Sequence, residues 1–156
     1  MTIPRALRSF LKEHHIQHRT IVHPSTYTAQ QLAHSQHVKG EDVLKVVLLK
    51  SGDQYVMALL PACYKVDFAG MKKTLGVDEL RLGTEDEIRK LFPDCEIGAI
   101  PPVAELYHLK LYADESLKKN RKVLFAAGTH REAMRVDFKD LAKWIKPKFG
   151  KIASHI

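Results

Sequence analysis

The segment from Val43 to Leu60 constrains the fold more than any other part of this chain of 156 residues. Val43-Leu44-Lys45-Val46-Val47-Leu48-Leu49-Lys50 is rich in valine and leucine, Gln54 to Leu60 repeats that character, and Ser51-Gly52-Asp53 between them has hairpin chemistry. Side chains in a strand alternate between faces, and both runs are apolar at both parities. Neither face can be left in water, so the pair must lie inside a sheet covered on both sides. Lys45 is the exception within the first run. By parity it shares a face with Val43, Val47 and Leu49. A lysine there must snorkel to the strand end, pair with an acid, or point into a pocket. In a pocket it offers a cation to phosphate or a donor to a carbonyl or ribose oxygen.

The flanking sequence supplies helices as well as further strands. Pro4 to His15 reads as a helix, with Ala6, Leu7, Phe10 and Leu11 on one face. His18 to Val22 is short and β-prone, His23-Pro24 breaks it, and a second helix runs from Ala29 to His34. Val66-Asp67 opens a helix to Leu75, stopped by Gly76. Thr84 and Glu87 have capping-box spacing at the head of another, ending before Pro93. Leu106 to Tyr112, Lys122 to Ala127 and Ala133 to Val136 read as strands, and Asp137 caps a last helix from Phe138 to Ile145. Helices and hairpin-linked strands mix without strict alternation, which predicts an α+β fold. No linker or repeat divides the chain, so a single domain over residues 1–156 is expected.

Composition narrows the functional classes. At 45% hydrophobic, 28% charged and 8% aromatic, the chain is of ordinary globular type. No apolar run approaches the ~18 residues that span a bilayer, and Met1-Thr2-Ile3-Pro4-Arg5 lacks the apolar core of a secretory leader, so a cytoplasmic, membrane-free protein is expected. Cys63 and Cys95 form no metal or redox motif and read as buried thiols. The net charge is +7, and Lys139 to Ile156 carries five lysines against one aspartate. That excess suits a polyanionic partner such as nucleic acid; a lysine-rich surface serving solubility is the alternative.

Nine histidines invite a metal reading, but His14 with His18 and His34 with His37 lack third ligands, so no metal or other cofactor is expected. There is no phosphate-cradling P-loop and no nucleophile elbow. Two loops carry more information. Gly98-Ala99-Ile100-Pro101-Pro102 combines a conformationally free glycine with two stiffening prolines, presenting fixed carbonyls and amides to whatever docks there. Gly128-Thr129-His130 follows an apolar strand, where a loop histidine can face a ligand.

The ordered set of these features resembles the YbaK/EbsC family of free-standing aminoacyl-tRNA editing proteins, itself similar to the editing insertion of bacterial prolyl-tRNA synthetases. The matching segments are His23-Pro24 with Tyr27-Thr28-Ala29-Gln30-Gln31-Leu32-Ala33, the strand lysine in Val43-Leu44-Lys45-Val46-Val47-Leu48, the Gly98 to Pro102 loop preceded by Phe92-Pro93-Asp94-Cys95-Glu96-Ile97, and Phe125-Ala126-Ala127-Gly128-Thr129-His130. Together they cover about residues 18 to 145.

The resemblance implies a mixed, largely antiparallel β-sheet surrounded by helices. It implies hydrolysis, in trans, of the ester joining a wrong, small amino acid to the 3′-terminal adenosine of a mischarged tRNA. It assigns Lys45 the place of a substrate-orienting lysine with a catalytic role. Gly98, Ala99, Ile100, Pro101 and Pro102 become the loop that holds the aminoacyl-adenosine, and His130 a residue lining the amino-acid pocket. Partners would be mischarged tRNA and, in some settings, an aminoacyl-tRNA synthetase. Some alanine-selective members follow the lysine with Asn, whereas Val46 stands here, so alanine, serine and cysteine all remain open as the amino acid removed. A catalytically silent module of the same fold, docking tRNA or a synthetase, is the alternative. The ester bond is already activated, so a site need only position a water and stabilise an oxyanion, and no nucleophile triad is demanded.

Overall fold

The computed structural model describes residues 1–156. The elements in chain order are α1 (Arg5–Glu13), β1 (His18–Val22), α2 (Ala29–Ser35), β2 (Leu44–Ser51), β3 (Gln54–Pro61), β4 (Tyr64–Val66), α3 (Phe68–Leu75), β5 (Arg81–Leu82), α4 (Glu85–Leu91), β6 (Lys110–Asp114), β7 (Lys122–Thr129), β8 (Glu132–Asp137), α5 (Phe138–Ile145), β9 (Lys148–Gly150) and β10 (Ala153–His155). Short 3₁₀ turns occupy Gly40–Asp42, Ala104–Tyr107 and Glu115–Lys119. The architecture is α+β and largely antiparallel, with the strands divided among three sheets ordered β1-β8-β7, β10-β4 and β5-β2-β3-β6-β9. Two pairings, β3 with β6 and β6 with β9, are parallel.

β2 and β3 form the centre of the five-stranded sheet, in register from Leu44 against Pro61 to Ser51 against Gln54. Leu44, Leu48, Met57 and Leu59 enter one hydrophobic core, which also receives Leu7, Phe10 and Leu11 of α1 and Phe138, Leu141 and Ile145 of α5. Leu49, Val56, Ala58 and Leu60 enter a second core on the other face, with Met71 of α3 and Ile152. The double-sided apolar pattern therefore does what strand parity requires: each face is covered, one mainly by α1 and α5, the other by α3 and the C-terminal segment.

Local signals place the helices. The Thr84 and Glu87 side chains make both bonds of a capping box at α4, with Glu87 N–H donating to Thr84 Oγ1 at 3.2 Å and Thr84 N–H to Glu87 Oε1 at 2.8 Å. Thr28, Asp67 and Asp137 cap α2, α3 and α5 more simply, each side chain accepting from backbone N–H groups of the first turn. Such caps satisfy backbone donors that the first helical turn leaves unpaired.

Several expectations are corrected. The predicted strand Leu106–Tyr112 begins four residues late. Ala104–Tyr107 is a 3₁₀ turn closed by His108 at φ 58°, and the strand is Lys110–Asp114. Pro4 and His15 lie outside α1, the latter at φ 53°. The strand expected to end at Ala127 runs through Gly128 to Thr129. Cys95 is buried but Cys63 is only partly so, which leaves its thiol able to meet partners. The strands β4, β5, β9 and β10 have two or three residues each, too few to produce a readable alternation.

Asp114, 2% exposed, ties the C-terminal segment down. Its carboxylate accepts the backbone N–H groups of Ile152 at 3.0 Å, Ala153 at 2.9 Å and Ser116 at 3.2 Å. β10 then pairs with β4, setting His155 opposite Tyr64.

Candidate functional site

A single parallel bridge, Val43 with Leu124, joins the head of β2 to β7. Beyond it the two strands make no further bridge, and β7 carries a register irregularity against β8 between Ala126 and Thr129. The gap is a cleft of about 310 Å³, lined mostly by hydrophobic side chains from α2, β2, β5, α4 and the Ile97–Ile100 loop. Val46 of β2 and Ala126 of β7 both line it.

The cleft contains an open strand edge. Ala62 N–H donates to the Val43 carbonyl at 2.8 Å, so Val43 and every second residue after it turn their backbone polar groups toward β3. The intervening residues, Leu44, Val46 and Leu48, turn theirs toward the cleft. Leu48 C=O accepts from Gly83 N–H at 2.8 Å, and β5 pairs with β2 at Leu49 and Lys50. No strand is registered against Val46 on that side. Its N–H and C=O are therefore presented to a ligand as an adjacent donor and acceptor.

Lys45 contributes to the cleft wall, and the expected parity is observed: its side chain leaves on the face that carries Val47 and Leu49. Its ammonium donates to the Tyr64 carbonyl. Of three ammonium donors this uses one and leaves two. Burial in partly apolar surroundings lowers the Lys45 pKa from its ordinary value, while the nearby Cys63 acts weakly in the opposite direction.

The loop expected to hold substrate is rigidly mounted. Gly98 has φ +87°, and a Cβ built there would collide with the Tyr27 carbonyl oxygen, so two independent constraints require glycine. Gly128 N–H donates to Ala99 C=O and Glu96 N–H to Gly128 C=O, both at 2.8 Å, which staples the loop to the end of β7. Gly98 and Ile100 reach the cleft. Ala99, Pro101 and Pro102 are buried behind it and act on the cleft only through the loop's shape.

The structure sets His130 behind this loop, outside the residues that line the cleft. Its Nε2 hydrogen-bonds the Ile97 carbonyl at 2.5 Å, its Nδ1 lies 3.4 Å from Glu96 Oε2, and its backbone N–H donates to Glu96 Oε1 at 3.1 Å. Its ring meets Tyr27 edge-on at 4.8 Å. In this arrangement His130 braces the loop that carries Gly98. Both ring nitrogens thus find partners within the loop it braces.

Sequence reasoning missed several members of the site. Leu82, Gly83 and Ile88 close one end of the cleft, and Tyr27 and Thr28 close another. Tyr27 and Thr28 carried a signal, since they stand in the cap of α2, where Thr28 Oγ1 accepts from Gln31 N–H at 3.1 Å. The open edge at Val46 carried none, because a backbone vacancy depends on which strand fails to pair.

Near the mouth of the cleft, Glu87 gathers cations. Arg81 approaches it at 2.8 Å, Lys50 at 3.4 Å, and Tyr55 donates to it at 2.5 Å. The bonds from Arg81 and Tyr55 hold the Glu87 carboxyl far below the usual carboxylate range. A separate groove collects Lys39, Lys119, Arg121, Lys122 and Arg135 around Glu41 and Asp42, just ahead of β2. Lys148 lies in β9, the opposite edge of the sheet and three strands from β2, roughly 14 Å away at ~4.8 Å per strand, and Lys146 caps the end of α5 just before it. No helix is long and apolar enough to cross a membrane.

Known proteins share this framework. Proline–tRNA ligase of Macrococcus caseolyticus is 30% identical over 95 residues, 61% of this chain and 16% of that enzyme. The Staphylococcus aureus (strain Newman) enzyme of the same name is 27% identical over 104 residues, 67% of this chain and 18% of the enzyme. The chain thus spans less than a fifth of the curated relatives it matches. Among solved structures, a hypothetical protein superposes with TM-score 0.86 at 18% identity, covering 95% of this chain and 99% of its own. A candidate trans-editing enzyme for prolyl-tRNA synthetase superposes with TM-score 0.82 at 23% identity, covering 96% of each. The family model of the aminoacyl-tRNA editing domain matches residues 23–144, a span that includes the cleft, the strand lysine and the braced loop, and the chain belongs to that family.

Proposed function

We propose that the chain is an aminoacyl-tRNA deacylase acting in trans on tRNA mischarged with a small amino acid. The observation that carries the reading is the cleft itself: an apolar recess with an unpaired backbone edge at Val46, an ammonium at its wall and a rigid glycine loop opposite. Its volume of about 310 Å³ lies at the lower end of ligand pockets, ~300–1,000 Å³, which suits a terminal nucleoside with little beyond it.

In the reaction a water oxygen adds to the ester carbonyl, the tetrahedral oxyanion collapses, and the ribose oxygen leaves with a proton. The chain's part is positioning and charge. The two free donors of the Lys45 ammonium hold the ribose or phosphate end, the Val46 amide pair holds polar atoms of the aminoacyl group, and the Gly98 loop fixes the angle of approach. By the family resemblance, the substrate's own ribose hydroxyl assists proton transfer. No side-chain nucleophile is needed, because the ester is activated already.

Discrimination rests on exclusion. One surplus methylene changes transition-state binding by only ~1–3 kcal/mol in an apolar pocket, so selection among alanyl, seryl and cysteinyl esters is leaky while aromatic esters are rejected. The tRNA backbone follows the Lys39, Lys119, Arg121, Lys122 and Arg135 groove, which begins beside Val43 at the head of the cleft. A deacylation screen over mischarged tRNAs tests the reading. Hydrolysis confined to small esters supports it; equal rates on alanyl- and phenylalanyl-tRNA, or binding with no turnover on any ester, refute it.

A further inference from the structure

Three groups of metal-ligating chemistry meet outside the cleft. Glu41 comes from the 3₁₀ turn before β2, Cys63 from the turn between β3 and β4, and His155 from β10. One ligand atom from each lies within 4.8 Å of the others.

The orientation of His155 makes the grouping more than proximity. Its Nδ1 lies 3.0 Å from the main-chain oxygen of Ile156, which only accepts, so Nδ1 carries a proton there and Nε2 is the atom free to bind. In the neutral ring Nε2 then presents a lone pair. That atom faces Glu41 Oε1 at 3.8 Å. Nε2 and the Glu41 carboxylate thus converge on one point, where a cation, either a metal ion or the ring's own second proton, satisfies both. A bond from Nδ1–H to a main-chain or carboxylate oxygen is also the usual support of a metal-bound histidine, fixing tautomer and ring plane. The Tyr64 ring, edge-on at 5.2 Å, restrains the imidazole from the side.

From these contacts we infer that Glu41, Cys63 and His155 form a binding site for a borderline-soft divalent cation, of which Zn²⁺ is the best match. Zn–N and Zn–O bonds of ~2.0–2.2 Å put a tetrahedral nitrogen and oxygen roughly 3.3–3.5 Å apart, so the Glu41–His155 pair, at 3.8 Å, closes by a few tenths of an ångström on coordination. A thiolate and a carboxylate together neutralise the dication, which lets the site tolerate the Lys45 ammonium bonded to the adjacent Tyr64 carbonyl. Coordination releases the Cys63 proton to solvent, and water completes the tetrahedron. The ion joins the C-terminal strand to the turns at both ends of the β2–β3 hairpin's open side, and its role is structural because none of the three ligands lines the cleft.

The test is Co²⁺ titration of the full, tag-free chain, followed by displacement with Zn²⁺. The expected result is one Co²⁺ per chain with thiolate-to-cobalt charge-transfer absorption in the near ultraviolet, abolished by Zn²⁺ and absent in Cys63→Ser. Cys95 cannot supply the band, being buried with its thiol pushed up to about 12. His155→Ala, at an exposed position and so safe for folding, should weaken Co²⁺ binding by more than ~100-fold, beyond the ~10–100-fold typical of losing a supporting partner. Absence of the band in the folded wild type, or undiminished Co²⁺ affinity in His155→Ala, overturns the assignment and leaves the three side chains a metal-free polar cluster.

Discussion

Lys45→Ala separates catalysis from stability. The substitution removes the bond from the ammonium to the Tyr64 carbonyl. Hydrogen bonds to charged groups contribute about 1.5–3 kcal/mol, toward the lower end for a half-buried ammonium in contact with water. Against this, the lowered Lys45 pKa shows that the folded state already disfavours the charged form, and alanine relieves that burden. The two effects oppose, and a net change of about 1 kcal/mol corresponds to a melting shift of roughly 2–4 °C for a chain this size. The catalytic effect is different in scale. Displacing the scissile ester by about 1 Å costs ~100-fold, or ~2.7 kcal/mol. Lys45→Arg should recover only part of the rate, because a planar guanidinium does not replace a compact ammonium with one donor already committed. Single-turnover hydrolysis of mischarged tRNA, with thermal melts alongside, reads both quantities. A Lys45→Ala protein that melts within a few degrees of wild type and hydrolyses at the wild-type rate refutes the role given to Lys45. One that unfolds shows that the lysine serves the sheet instead.

Gly98→Ala should lose about 1–3 kcal/mol of stability from the positive φ alone and at least ~100-fold in deacylation, since the new Cβ displaces either the loop or the Tyr27 carbonyl; an unaltered rate in the folded variant contradicts the loop's proposed function. Glu87 has its folded pKa depressed below 4.5, so its contribution is present above that value and is lost as pH falls beneath it; the stability gap between wild type and Glu87→Gln, followed by denaturant melts, should close on acidification, and a gap independent of pH rejects the network. Neutralising Lys119, Arg121, Lys122 and Arg135 should flatten the log–log salt dependence of tRNA affinity by ~0.7–0.9 per contact, whereas neutralising Lys143, Lys146, Lys148 and Lys151 should leave it unchanged; the reverse pattern would move the phosphate track to the far edge of the sheet.

Much of the frame was legible because its causes are local. The double-sided apolar pattern of β2 and β3, the Thr84–Glu87 capping box and the Asp137 cap each act within a few residues, so the chain states them directly. Lys45 was legible for the same reason, as a charge that breaks an otherwise apolar strand. The tertiary structure decided what lay between distant segments. The cleft exists because strands bridged at Val43 and Leu124 part after that contact, and the open edge at Val46 exists because β5 pairs with only Leu49 and Lys50. His130 was given a pocket role only by the family resemblance; its contacts with Glu96 and the Ile97 carbonyl, which brace the Gly98 loop, join segments more than thirty positions apart and left no mark in the sequence. Glu41, Cys63 and His155 are separated by 22 and 92 positions, and only the pairing of β10 with β4, anchored by buried Asp114, brings them within reach of one ion. Spacing along a chain reports what a helix turn or a strand pleat can bring together; it is silent about contacts that depend on which edges of which sheets end up adjacent.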